Sequence, residues 1–83
     1  MTPKQLETIN NALRMYGAHV GQDNRITKGD LPTRIAVSVV RNRLQFIGIN
    51  ENGTHGHTQA SGSVSAATVS DFVESFWYWK KQH

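Results

Sequence analysis

Apolar positions recur at helical spacing at the start of the chain. Leu6, Ile9, Leu13 and Tyr16 share one face, while Glu7, Asn11 and Arg14 lie on others. Thr2 and Gln5 form a Thr-x-x-Gln capping box, Pro3 suits the first helical position, and Gly17 is a natural stop. The pattern predicts a helix over about residues 3–16. From Arg34 the period changes to two: Ile35, Val37 and Val39 alternate with Ala36 and Ser38, which argues a strand rich in β-branched residues. Arg41-Asn42-Arg43 reads as a turn and Leu44–Asn50 as a second strand. A two-residue loop there sets Ile35, Val37 and Val39 beside Leu44 and Phe46; a three-residue loop sets them beside Ile47 and Ile49. The shorter loop is favoured.

Asn52-Gly53 signals a tight type I′ hairpin that pairs Glu51 with Thr54 and opens a third strand, Thr54 to about Ser61. That strand is polar and carries glycine, which marks it as an edge. Ser61-Gly62-Ser63 then reads as a flexible link. A last helix follows, capped by Ser65 or by Thr68 and running to about Lys81, where Lys80 and Lys81 suit the negative end of its dipole. Residues 17–33 are harder to read. Gly17, Gly21, Gly29 and Pro32 give turn after turn, with Val20, Ile26 and Leu31 as the residues to pin the segment down and a short extra element expected around Gln22–Thr27. The expected fold is therefore α+β: helix, three-stranded antiparallel meander, helix, with both helices packed on one face of the sheet. The other face would carry Ala36, Ser38 and Val40.

Helix, three strands, helix is also the order of the double-stranded RNA-binding domain, which needs a basic cluster where its last helix begins. Here that helix opens Ser65-Ala66-Ala67-Thr68, so the likeness is to topology alone and implies no family.

Length changes the picture first. Eighty-three residues make a single small domain without cysteine, so no disulfide reinforces a modest core and self-association as a homodimer becomes a route to stability. No apolar run is long enough for a membrane span and the first residues lack the apolar centre of a signal peptide, so a soluble, cytoplasmic protein without membrane contact is expected. The net charge is +3, and it is unevenly placed: Arg25, Lys28, Arg34, Arg41 and Arg43 stand against the single acid Asp30 in residues 25–43. Such a middle attracts phosphate or an acidic protein surface.

Five of the seven aromatic residues are Phe72, Phe76, Trp77, Tyr78 and Trp79. On an α-helical wheel Val69, Phe72, Val73 and Phe76 form one stripe that suits a core, Trp77 and Trp79 fall on its two shoulders, and Tyr78 points away. Four consecutive helical positions cannot all face one small core, so part of this surface is expected at an interface. His55-Gly56-His57 places two imidazoles two apart on a strand, with His19 or His83 as a third ligand or with Arg41 or Arg43 beside an acid–base pair. A lone His-x-His in a glycine-bearing ribbon is more simply an exposed pair, and no metal, cofactor or catalytic residue is assigned. The Ser61–Ser65 stretch lacks the glycine spacing and lysine of a phosphate loop.

The reading is a non-catalytic protein-binding module, of the kind small phage or plasmid regulators and inhibitors use to cover a partner surface. Trp77, Tyr78 and Trp79 would be apolar anchors, with Arg34, Arg41 and Arg43 meeting an acidic partner. The alternative is a nucleic-acid-binding module that uses the basic hairpin over residues 34–43, with Arg41, Arg43, Arg25 and Lys28 on phosphates. Against stacking on single strands, Phe46 is the only strand aromatic.

Overall fold

The computed structural model describes residues 1–77, with side chains through Ser75. Helix α1, Pro3–Arg14, begins with the capping box the sequence announces: Gln5 N–H donates to Thr2 Oγ1 at 3.1 Å, and Thr2 N–H donates to Gln5 Oε1 at 2.9 Å. It stops where the chain turns left-handed at Gly17, φ 71°. Five strands follow in sequence order: β1 Ala18–Val20, β2 Arg25–Lys28, β3 Leu31–Val40, β4 Arg43–Ile49 and β5 His55–Ser63. They form one antiparallel sheet ordered β1-β2-β3-β4-β5. Helix α2, Ala66–Phe72, runs on into a π-helical turn, Val73–Trp77.

The α+β class stands, but the three-stranded meander is corrected to five strands. The added pair comes from the segment that read as a succession of turns. A 3₁₀ turn, Gln22–Asn24, links β1 to β2 with Asp23 and Asn24 both near φ 58°, a backbone that Asp and Asn tolerate better than most residues. The loop Gly29-Asp30 joins β2 to β3 with Lys28 opposite Leu31, and Gly29 supplies φ 60° at the first central position of a two-residue hairpin. Asn10 Oδ1 on α1 accepts the Val20 N–H at 2.7 Å, and Gly17 O accepts the Gly29 N–H at 3.0 Å, so the short strands are tied to the helix they follow. Ile26 is fully buried and pins the segment as expected, whereas Leu31 is 74% exposed and does not. With two more strands, the likeness to the double-stranded RNA-binding topology is gone.

Arg41 and Asn42, at φ 52° and 62°, make the two-residue turn of the β3–β4 hairpin. The register is the shorter-loop one: Val39 opposes Leu44 and Val37 opposes Phe46. The next turn departs from expectation. Asn50 and Thr54 close a three-residue loop in which only Gly53 takes a positive φ, 87°, and Gly53 N–H donates to Asn50 O at 2.9 Å. Asn52 Oδ1 accepts the Thr54 N–H at 3.1 Å, a side-chain turn that holds Asn52 out of the left-handed region a type I′ turn would demand. Ser61-Gly62-Ser63 is not a link but the last part of β5, pairing with Arg43, Leu44 and Gln45.

One core joins these elements. Ile9 and Leu13 of α1, Val69 and Phe72 of α2, and Ile26, Val37, Leu44 and Phe46 of the sheet are buried together. Phe46 and Phe72 stack with centroids 4.0 Å apart and planes at 1°. The helix layer is arranged differently from a pair resting on three central strands: α1 packs mainly on β1 and on α2, and α2 reaches β5. Ser65 is the cap, its Oγ accepting the Thr68 N–H at 3.4 Å, which selects the longer of the two starts.

Candidate functional site

Alternation along each strand decides what the second face of the sheet presents. Because Val37 and Val39 face the helices, Arg34, Ala36, Ser38 and Val40 of β3 face the other way, and so do Arg43, Gln45, Ile47 and Ile49 of β4. Opposed residues share a face, so Arg25, opposite Ala36, joins them, as do Thr58 opposite Ile47 and His55 opposite Ile49. This helix-free face has an apolar middle, in which Ala36 and Ile49 are buried and Ile47 is half-buried, with Arg25, Arg34 and Arg43 spaced around it. From the level of Arg34 to that of Arg43 is six residues of β3, about 20 Å at strand rise. None of the five strands contains an Asp or Glu. The acids lie elsewhere: Glu7 on α1, Asp71 and Glu74 on the last helical segment, and Asp23, Asp30 and Glu51 in loops and turns.

Local bonds set the posture of two of the arginines. Arg25 Nε donates to Thr33 O at 2.8 Å, beside the Thr33 Oγ1 donation to Ile26 O at 2.7 Å, which fixes the guanidinium against the irregular β2–β3 register. Arg43 Nη2 donates to Ser61 Oγ at 3.3 Å across the β4–β5 pair. Arg34 is exposed on the same face, and Arg41 is exposed at the hairpin tip, carried there by its own left-handed backbone.

Of the residues singled out for a protein partner, the structure brings Arg34 and Arg43 to one face and puts Arg41 at its end. The aromatic anchors fall outside this description. Trp77 contributes only its backbone, in the π-helical turn, and Tyr78 and Trp79 lie outside the described residues, as do Lys80, Lys81, His83 and the side chain of Phe76. The α-helical wheel that distributed those rings also needs correcting, because Val73–Trp77 is wound more widely than an α-helix and the 100° step does not apply through it. The set proposed for nucleic acid is divided. Arg25 and Arg43 share the helix-free face, but Lys28 alternates with Thr27 and lies on the side of Ile26, opposite Ala18.

His55 and His57 are exposed on β5, and the strand is irregular there: Ile47 opposes Thr58 while Ile49 opposes His55. Three residues on β5 thus answer two on β4, which removes the simple alternation that would set both imidazoles on one face. His19, on β1, is four strands from β5, about 19 Å at sheet spacing. Among the described residues no group of three His, Cys, Asp or Glu side chains is placed to hold a metal ion.

Two features escaped the sequence. The apolar middle of the helix-free face was written in the alternation of β4, but it becomes visible only once the hairpin register is known. A pocket of about 400 Å³ also opens beside β1 and β2, lined by His19, Asp23, Arg25, Thr27, Asp30 and Pro32 among others, and it depends on those two strands, of which the sequence announced only a short extra element around Gln22–Thr27. Its charges are of both signs. No helix among the described residues is long and apolar enough to cross a membrane. No protein-family model matches the chain, no curated protein matches it, and no solved structure matches its fold.

Proposed function

We propose that the chain is a non-catalytic protein-binding module that lays the helix-free face of its sheet on an acidic surface of another protein. The observation that carries this reading is the acid-free sheet with Arg25, Arg34 and Arg43 around Ala36, Ile47 and Ile49. An apolar middle with arginines at its margin is the composition of a protein interface, where arginine is enriched and the charged rim sets orientation and encounter rate. Occlusion is the mode of action that such a face supports, as in a small regulator or inhibitor. Trp77, Tyr78 and Trp79 enter as further apolar anchors on sequence grounds alone. Nucleic acid is the less favoured partner for this face: the one strand residue among Phe, Trp and Tyr, Phe46, is spent in the core stack with Phe72, so no such ring among the described strand residues is offered to a base.

The test compares the tagged chain with its double variant Arg34→Glu, Arg43→Glu, with nuclease treatment in both arms. Support is a captured protein with an acidic surface, retained after nuclease, lost in the double variant and kept in a separate Glu7→Lys control on α1. Capture that is indifferent to the double variant sinks the face. Capture abolished by nuclease, together with a steep salt dependence on random duplex or single-stranded DNA, transfers the face to nucleic acid.

A further inference from the structure

The two edges of the sheet are unequally guarded. β1 is three residues long and offers little to an incoming strand. β5 is nine residues long, mostly exposed, and contains no proline and no Lys, Arg, Asp or Glu, the residues that usually blunt an edge. Among the described residues its one strand neighbour is β4. The irregularities in its pairing fall between His55 and Ala60, so the regular part of the edge is Ala60–Ser63.

That regular part borders a pocket. Ala60, Ser61 and Gly62 form one wall and Thr68, Asp71, Phe72 and Ser75 the other, around about 270 Å³. The helix approaches the strand closely at Gly62: a Cβ there would come within 2.9 Å of Thr68 Cγ2 and Oγ1, and Ser63 Oγ lies 3.3 Å from Thr68 Oγ1. Ala60, Phe72 and Ser75 continue the lining of the groove between the two elements. Phe72, stacked on Phe46, is buried, and Asp71, exposed, is the only charged side chain among the described residues that line the pocket.

We infer that this groove is a second binding site, which takes an extended peptide segment of a partner protein as a sixth strand on β5, with a lysine or arginine side chain of that segment in the pocket. Backbone groups of Ala60–Ser63 supply affinity, and the pocket supplies selectivity: the head of the cation meets the exposed Asp71 carboxylate. A second copy of the chain is the poorer occupant. Pairing β5 with itself along the regular segment would offer the pocket only the alanine, glycine and serines of Ala60–Ser63, which leave it largely empty. The site adjoins the arginine face at Ser61, whose Oγ accepts from Arg43, and its charge preference is opposite.

The experiment titrates the ¹⁵N-labelled chain with a blocked pentapeptide of alternating threonine and valine around a central lysine, followed by amide chemical shifts. Three twins accompany it: one with central glutamate, and two with backbone N-methyl groups on alternate sets of residues. The expected result is saturable shifts at Ala60, Ser61 and Gly62, with the glutamate twin about fivefold weaker. One methylated twin should bind as the parent does and the other should fail, because alternate residues of a strand present their N–H to opposite sides. Asp71→Asn should erase the lysine-over-glutamate preference while leaving the free spectrum dispersed. Absent shifts at residues 60–62, equal behaviour of the two methylated twins, or an unchanged preference in Asp71→Asn would overturn the proposal. So would shifts at those residues that track chain concentration without peptide, which would give the edge to a second copy.

Discussion

Phe46 and Ile47 are neighbours on β4 and belong to two different environments. Phe46 is fully buried, stacked on Phe72 and opposed by Val37 and Ala60; Ile47 is half-buried and opposed by Ala36 and Thr58. The same strand, read on alternate residues, builds the core on one side and a surface with arginines at its margin on the other. One face is therefore closed by the helices, while on the other Ala36 and Ile49 are buried and Ile47 and the arginines keep surface in water. Binding chemistry is free to accumulate at those wet positions without a large cost to the fold.

The largest expected effect tests that division directly. Phe46→Ala removes a fully buried ring and its stacking partner's contacts, a loss of about 3–5 kcal/mol, enough to unfold most of a domain whose total stability is small. Ile47→Ala, one residue away, should cost about 1 kcal/mol, since part of its surface is already in water. Urea midpoints of the two variants measure the contrast. Equal losses would mean that the face assigned to a partner is as much core as the face under the helices.

How far the sequence foretold this division depended on the length over which a pattern had room to repeat. α1 was legible down to its capping box, because three turns of periodic apolar residues and a Thr-Pro start agree. β3 spans ten residues, and its period of two was plain over Ile35–Val39. β1 and β2, at three and four residues, are shorter than the window in which a period can be recognised, and the glycines around them read as loop. The two turns of β4 show the same limit from the chemical side. Arg41-Asn42 formed the two-residue turn although arginine is no turn residue, whereas Asn52-Gly53, the stronger signal, formed a three-residue loop because the Asn52 side chain captured the Thr54 backbone. For the candidate site, the arginines were legible as charge. Their common face was not, since it follows from a register that a change of one residue in a loop would invert.

A smaller effect should come from that turn. Asn42 sits at φ 62°, and valine there is strained by its branched Cβ, so Asn42→Val should lower stability by about 1–3 kcal/mol. The loss concerns both faces at once, because the two-residue loop is what sends Leu44 and Phe46 to the helices and Arg43 and Ile47 away from them. Asn42→Gly is the sharpening control: glycine accepts the same backbone, and the midpoint should stay near that of the parent. A valine variant as stable as the parent would show that the turn does not hold the register.

The smallest effect belongs to the arginines themselves. Arg34 is an exposed side chain on a strand that has a full complement of apolar contacts on its other face, so Arg34→Ala should change stability by no more than about 0.5 kcal/mol. Arg43→Ala forfeits one hydrogen bond of 3.3 Å to Ser61 at the surface, and its loss should also stay within about 1 kcal/mol. Combining the two should be close to additive, because Arg34 and Arg43 stand about 20 Å apart along the sheet and share no partner. A double alanine variant that remains folded is what makes the face a binding surface and not a hidden part of the core. If thermal unfolding instead showed the pair to cost several kcal/mol, the arginines would be holding the sheet together, and the contrast between its two faces would lose its functional meaning.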